Sequence, residues 1–103
     1  MKIWTILFSI LLMVGCNKTN LPTPACIEEK FFNDPNIIQV WEYRWNGHTV
    51  FLVIPDCCDQ YDMVYSLNCE PICAPSGGFT GSGDGKCPDF YTDAEVVEQV
   101  FPS

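Results

Sequence analysis

Cysteine is the residue type that offers this chain the most chemistry. The sequence has seven cysteines in 103 residues. Six of them follow residue 25 and are the candidates for disulfide bonds: Cys26, Cys57, Cys58, Cys69, Cys73 and Cys87. Six cysteines in a small exported domain predict a disulfide framework. Thiol redox chemistry is the alternative, but it normally uses a C-x-x-C pair with a lowered pKa, and three residues separate Cys69 from Cys73.

The pairing of these cysteines stays open at this point, since six cysteines allow about fifteen connectivities. Cys57 and Cys58 are adjacent. Adjacent Cα atoms lie about 3.8 Å apart, below the usual disulfide range of about 4.4–6.8 Å, so we expect each to bond elsewhere. If that segment is extended, their side chains point to opposite faces, so one could reach the first helix and the other the glycine-rich loop. Free thiols at this pair, or at Cys69 and Cys73, would favour redox or metal chemistry instead.

Four aspartates and one histidine are the other candidates for chemistry. Asp56, Asp59, Asp62 and Asp84 are calcium candidates because calcium prefers six to eight oxygen ligands. The sequence has no EF-hand pattern, and turn formation is the competing interpretation. His48 is the single histidine and lies beside a predicted turn, where we expect it to pack across from Trp45. We therefore predict no catalytic residue.

The segment from Cys73 to Phe90 contains five of the seven glycines. Its glycine and lysine spacing does not fit a Walker phosphate-binding loop. Such glycines are typical of positive φ angles or close approaches in a compact loop, which Cys73 and Cys87 would close. We expect the middle of the loop to form a contact surface for a partner, with these candidate residues: Phe79, Thr80, Ser82, Asp84 and Lys86.

Two segments upstream of that loop have clear structural patterns. Residues 23–35 predict a short helix, with Thr23 as its cap and Cys26, Ile27 and Phe31 as its buried stripe. Ile37 to Trp45 and His48 to Ile54 flank Asn46-Gly47, which is the strongest short hairpin signal. A two-residue turn sets the cross-strand pairs, as follows: Trp45 with His48, Arg44 with Thr49, Tyr43 with Val50, Glu42 with Phe51, Trp41 with Leu52 and Val40 with Val53. We expect the aromatic face to pack against the helix.

The remaining segments predict a second hairpin and a terminal helix. Met63 to Leu67 and residues 72–74 flank a turn at residues 68–71 and would extend the same sheet. Residues 92–95 form a capping-box pattern, and Val96, Val97, Val100 and Phe101 follow at helical spacing. The predicted fold class is therefore α+β: a short N-terminal helix packed on a small antiparallel sheet of hairpins, disulfide-rich, with a glycine-rich loop and a short C-terminal helix.

The N-terminus has the layout of a secretory signal peptide in residues 1–15, with one Lys and then an apolar run. Met13-Val14-Gly15-Cys16 resembles the bacterial lipobox, in which the cysteine is acylated and becomes the first mature residue. Asn17 follows where aspartate would signal inner-membrane retention, so we expect an outer-membrane anchor in the cell envelope, facing the periplasm. Residues 16–23 would then be a lipidated tether, and residues 24–103 one small domain.

Net charge restricts the partners of such a domain. Removal of residues 1–15 leaves four Lys and Arg against thirteen Asp and Glu, a net charge of about −9. Nucleic acid and anionic lipid headgroups are therefore poor partners. A cation or a basic protein surface in the envelope would suit this charge better.

Two segments together resemble the signature of a small bacterial lipoprotein family of unknown function. They are residues 57–61, Cys-Cys-Asp-Gln-Tyr, and residues 72–90, which begin at Ile72-Cys73 and include the glycine-rich run. The family pattern has a simple turn where this chain has Cys69, so the resemblance assigns Cys69 no role. It implies an envelope lipoprotein and carries no activity. We expect a binding module, inhibitor-like in its displayed loop; the alternative is a thiol redox or calcium-dependent envelope protein.

Overall fold

The protein is built on one five-stranded antiparallel sheet with the strand order β4-β3-β2-β1-β5. The computed structural model describes residues 22–57 and 59–102. The strands are β1 (Ile37–Trp45), β2 (His48–Pro55), β3 (Tyr61–Tyr65), β4 (Pro71–Gly77) and β5 (Glu95–Phe101). A short helix α1 (Ala25–Ile27) continues as a π-helical turn, Glu28–Phe32, and a second short helix α2 (Phe90–Asp93) precedes β5. The domain is therefore mostly β, with a helix packed on the sheet.

The first hairpin confirms the predicted register. Asn46 and Gly47 both have positive φ angles, 53° and 79°, as a type I′ turn requires. Cross-strand pairing runs from Trp45 opposite His48 to Val40 opposite Val53, through all six predicted pairs. Because a slip of one residue would move every side chain to the other face, the turn decides which residues share a face.

The helix packs on the face opposite to the one expected. Ile27 and Phe31 are buried against Val40, Phe51 and Val53, which belong to the mixed face of the hairpin. Phe31 also packs on a neighbouring strand, where its ring lies tilted with its centroid 4.7 Å from that of Tyr65. We call this the helix-covered face. The prediction that the aromatic face packs against the helix is wrong. Side chains alternate between the two faces of a strand, but this pattern does not show which segment of the chain packs on each face.

The aromatic face is closed by the chain that follows β4, and we call it the loop-covered face. Phe90 is fully buried there, and its ring centroid lies 5.0 Å from the rings of both Tyr43 and Trp45. The buried cluster consists of Val50, Leu52, Val64, Cys73, Cys87 and Phe90. The central strands of the sheet are therefore covered on both faces.

The C-terminal segment is a strand and not the predicted helix. β5 pairs antiparallel with β1, with Tyr43 opposite Val96 and Val40 opposite Phe101. The helical turn α2 ends at Asp93, inside the segment read as a capping box. β-branched valines favour strands, and β1 offers an open edge to pair with. Pairing with this edge therefore decides the conformation of the segment, although its valines have helical spacing.

The second hairpin and the first helix follow the prediction with shifted limits. β3 and β4 pair antiparallel and extend the sheet, as expected, but β3 starts at Tyr61 and β4 continues to Gly77. Pro75 is tolerated because β4 is an edge strand. The helix begins after Pro24 without a side-chain cap, so the predicted capping by Thr23 is wrong.

The two hairpins give the sheet two distinct ends. The Asn46-Gly47 turn and the turn at residues 66–70 lie together, because β2 and β3 run antiparallel with Phe51 opposite Tyr65. We call this the turn end. Gly77 lies opposite Tyr61 at the other end, which we call the loop end. The signal peptide, Cys16, the tether up to residue 21 and Cys58 lie outside the described residues.

Candidate functional site

Disulfide bonds hold both covers of the sheet in place. Cys26 is bonded to Cys69, which ties α1 to the turn at residues 66–70. Cys73 is bonded to Cys87, which closes the glycine-rich loop as expected. Cys57 is also disulfide-bonded, and the cysteines of the helix and the loop are bonded to Cys69 and Cys73. The expectation that Cys57 and Cys58 would hold these two elements is wrong, since Cys69 and Cys73 hold them.

Each cysteine in the described part of the chain is disulfide-bonded: Cys26, Cys57, Cys69, Cys73 and Cys87. Nucleophilic and redox chemistry at cysteine requires a thiolate or a disulfide that is readily exchanged. Cys73 and Cys87 are 3% and 5% exposed, so the disulfide of the loop is shielded from an attacking thiol.

Backbone hydrogen bonds fold the glycine-rich loop against β4. The amide of Gly83 donates to the carbonyl of Gly77 at 3.0 Å, and the amide of Asp84 donates to the carbonyl of Ala74 at 2.9 Å. Gly77 also forms a parallel bridge with Ser82. The loop is therefore fixed along the edge strand and not only at its disulfide.

Gly83 shows why glycine is needed in this loop. Its φ angle is 79°, and a Cβ atom there would collide with the carbonyl oxygen of Ala74 and lie 2.7 Å from the carbonyl carbon of Pro75. Gly85 has a φ angle of 81°, but a Cβ atom there would meet nothing within 4 Å. The close approach of the loop to β4 therefore depends on Gly83. At Gly85, only the positive φ angle favours glycine.

Phe79 lies at the tip of the loop and is 90% exposed. Of the other residues predicted for the contact surface, Thr80, Ser82 and Lys86 are exposed and Asp84 is half-buried. The Lys86 amide donates to the Asp84 carboxylate at 3.0 Å, and this hydrogen bond is the main reason why the pKa of Asp84 is lowered. Asp84 therefore stabilises the turn, and Phe79 is the main apolar feature of the surface.

The predicted calcium candidates are not brought together by the fold. The carboxylate of Asp62 accepts a hydrogen bond from Ser76, and that of Asp84 accepts one from the Lys86 amide. Within residues 22–57 and 59–102, no three His, Cys, Asp or Glu side chains gather as a metal site. Asp56 and Asp59 are exposed in the connection between β2 and β3.

A chain of hydrogen bonds that the sequence did not reveal joins α2 to the second hairpin. Ser76 donates to Asp62 at 2.7 Å, and the Ser76 and Tyr91 hydroxyls are 2.7 Å apart. Because the Ser76 hydroxyl donates its proton to Asp62, the Tyr91 hydroxyl is the donor to Ser76. Burial raises the pKa of Tyr91. Asp62 and Ser76 are cross-strand neighbours, whereas Tyr91 is brought there only by the course of the loop.

A groove of about 390 Å³ opens at the turn end and was also not predicted. β3 ends opposite Phe51, so residues 48–50 of β2 extend beyond the end of β3. This leaves a groove beside β2, which the turn at residues 66–70 borders. Its lining includes Trp45, His48, Val50, Leu67, Asn68 and Ile72. His48 lies opposite Trp45 as expected, on an exposed position.

No helix in the described part of the chain has the length and apolarity needed to cross a bilayer. No curated protein and no solved structure matches the chain. One protein family does match, over residues 27–103, which include the sheet, the Cys73–Cys87 disulfide and the glycine-rich loop. The chain therefore belongs to the family described as a domain of unknown function, DUF6970.

Proposed function

We propose that this protein is a lipid-anchored envelope protein whose folded domain is a binding module that presents the glycine-rich loop to a protein partner. The observation that carries the proposal is Phe79, which is 90% exposed at the tip of a loop closed by a disulfide. An exposed phenylalanine forgoes burial that is favourable by about 1.5–3 kcal/mol. A partner that covers this ring recovers that free energy.

The rigidity of the loop supports the same role. The Cys73–Cys87 disulfide closes it, and the amides of Gly83 and Asp84 fix it on β4. Ordering a flexible segment on binding costs about 0.5–1.5 kcal/mol for each immobilised side chain, and a loop that is already ordered avoids most of that cost. Aromatic anchors on such surfaces contribute much of the binding free energy in protein interfaces.

The thiol redox alternative receives less support. It needs a cysteine that is free or readily exchanged, and all described cysteines are bonded. The envelope location rests on the signal-peptide layout and on the lipobox resemblance at Met13 to Cys16. A disulfide framework fits that location, since disulfides form and persist in oxidising compartments.

Site-specific crosslinking in the envelope tests the role of the loop. A photoreactive benzoylphenylalanine is placed at position 79 of the full-length protein, and a matched control is placed at Glu29, which is exposed on the helix-covered face. We expect a discrete protein adduct from position 79 that the control does not form. Identical adducts from both positions would overturn the proposed contact.

A substitution measures the contribution of the ring to binding of the crosslinked partner. Phe79→Ala should leave the thermal unfolding midpoint unchanged, because the ring has almost no neighbours to lose. Affinity should fall by about thirtyfold or more, which corresponds to a hot-spot loss of about 2 kcal/mol. Cys16→Ser should release the protein from the membrane fraction, and an unchanged distribution would refute the anchor.

A further inference from the structure

We propose that the groove at the turn end docks on the surface of the bilayer that holds the lipid anchor, with its apolar rim in contact with acyl chains. This inference rests on the proposed lipidation of Cys16. It assigns opposite tasks to the two ends of the domain: the turn end faces the membrane, and the loop end with Phe79 faces a partner.

The point where the chain enters the domain determines which end lies near the anchor. Cys26 is bonded to Cys69, and Leu67 and Asn68 of the groove lie immediately before Cys69 in the same turn. Only five residues, 17–21, separate Cys16 from Pro22, where the described chain begins. Fully extended, the six steps from Cα to Cα between Cys16 and Pro22 span at most about 20 Å. The tether therefore holds the turn end close to the bilayer surface.

The rim of the groove has the side chains that a membrane interface favours. Leu67 and Ile72 are 46% and 40% exposed. Trp45 also lines the groove and is half-buried. Tryptophan is enriched where bilayer and water meet, because one part of its ring is apolar and the other can donate a hydrogen bond. Asn68 and His48 supply polar groups beside them at headgroup level.

The turn that carries Leu67 is held in one shape. The Ser66 hydroxyl oxygen accepts hydrogen bonds from the amides of Asn68 at 3.1 Å and Glu70 at 3.2 Å. The Ser66 amide donates to the Glu70 carbonyl at 2.9 Å. Leu67 is thus exposed on an ordered turn and does not need to be ordered on contact.

The short tether makes a weak contact sufficient. A short linker that spans the distance between two sites gives an effective concentration in the millimolar range, so a surface patch that would not bind a bilayer from solution is still occupied. The net negative charge of the domain opposes contact with anionic headgroups, so zwitterionic lipids are the favoured surface.

Tryptophan quenching by brominated lipid tests the docking. The mature lipidated protein is reconstituted into vesicles of phosphatidylethanolamine and acyl-brominated phosphatidylcholine. Trp41→Phe leaves Trp45 as the single tryptophan after residues 1–15 are removed. We expect strong quenching of Trp45, and Leu67→Asp with Ile72→Asp should abolish most of it while the protein still floats with the vesicles.

A reciprocal probe and an independent readout separate this inference from the anchor itself. Phe79→Trp in a chain with Trp41→Phe and Trp45→Phe reports on the loop end and should not be quenched. If Trp41→Phe does not fold, the unsubstituted protein gives the same comparison with and without the two aspartates. Flotation without quenching, or quenching that survives both aspartates, overturns the docking and leaves the anchor standing. Loss of flotation overturns both.

Discussion

The helix-covered face is closed by residues with a helical apolar repeat, whereas the loop-covered face is closed by residues 78–94, which have no regular repeat. Ile27 and Phe31 close the first face from one side of a single helical segment. Cys87 and Phe90 close the second from a loop and a helical turn of four residues. Each cover is attached by one disulfide. An irregular segment can therefore complete a core when glycines and a disulfide fix its path.

The strongest test of this comparison is the central ring of the irregular cover. Phe90→Ala should lower the free energy of unfolding by about 3–5 kcal/mol, because a fully buried phenylalanine is replaced by a cavity. Denaturant unfolding measures the loss, and Ile27→Ala on the helix-covered face is the matched variant at about 2–5 kcal/mol. If Phe90→Ala costs under about 1 kcal/mol, the loop cover is not part of the core.

Removing the disulfides compares how the two covers are attached. Cys26 and Cys69 are 43 residues apart, and Cys73 and Cys87 are 14 apart. Because a longer closed loop removes more entropy from the unfolded chain, we expect paired serine substitutions to cost about 4 kcal/mol for the first bond and about 3 kcal/mol for the second. Denaturation midpoints in the two double variants give the order, and the reverse order would contradict the chain-entropy account.

Glycine substitutions separate close packing from backbone conformation within the loop cover. Gly85→Ala should lower the free energy of unfolding by about 1–2 kcal/mol, because a residue with a Cβ atom is disfavoured at a positive φ angle. Gly83→Ala should lower the free energy of unfolding by about 1–3 kcal/mol more than Gly85→Ala, because its Cβ atom also collides with the backbone of Ala74. Thermal unfolding measures both. Equal losses would mean that the loop moves away from β4 without cost.

The smallest effect is expected from a charge on the helix-covered face. Glu42 is only 9% exposed. Burial raises its pKa, Glu98 raises it further, and Arg44 lowers it. Folding raises the pKa of the Glu42 carboxyl, so the folded state binds the proton more tightly than the unfolded state. The free energy of unfolding contributed by Glu42 therefore increases as the pH falls from 7 toward the ordinary pKa of 4.5.

Glu42→Gln should therefore be more stable than the unsubstituted protein at pH 7, and this advantage should shrink as the pH approaches 4.5. Unfolding free energies of both proteins across this range measure the difference. Glu98→Gln is the control and should have a weaker effect, because Glu98 is only the second cause of the shift. An advantage that is constant with pH would show that titration of Glu42 is not responsible.

Local chemistry was sufficient to predict the first hairpin and part of the first cover. Asn46-Gly47 determines its register because two positive φ angles in a row leave one turn geometry. Ile27 and Phe31 were identified as buried from their helical spacing. The exposed Phe79 followed from the glycine-rich context of the loop. These features depend on residues close together in the chain.

The remaining features depend on contacts between distant residues. The partner of Cys26 lies 43 residues away, and the cysteine count alone does not choose it. The groove and the hydrogen bonds of Ser76 with Asp62 and Tyr91 arise only where separate strands and loops meet. The spacing of residues along the chain does not show which distant residues come into contact.

The sequence by itself determined the hairpin register, the high cysteine content and the acidic charge of this protein, and it predicts a signal peptide and a lipobox. Only the tertiary structure decided which cover lies on which face, which cysteines pair, and that residues 95–101 form a strand. The physical reason is that turn geometry and side-chain alternation act over a few residues. The open edge of β1 and the two uncovered faces of the sheet exist only after the hairpins have formed.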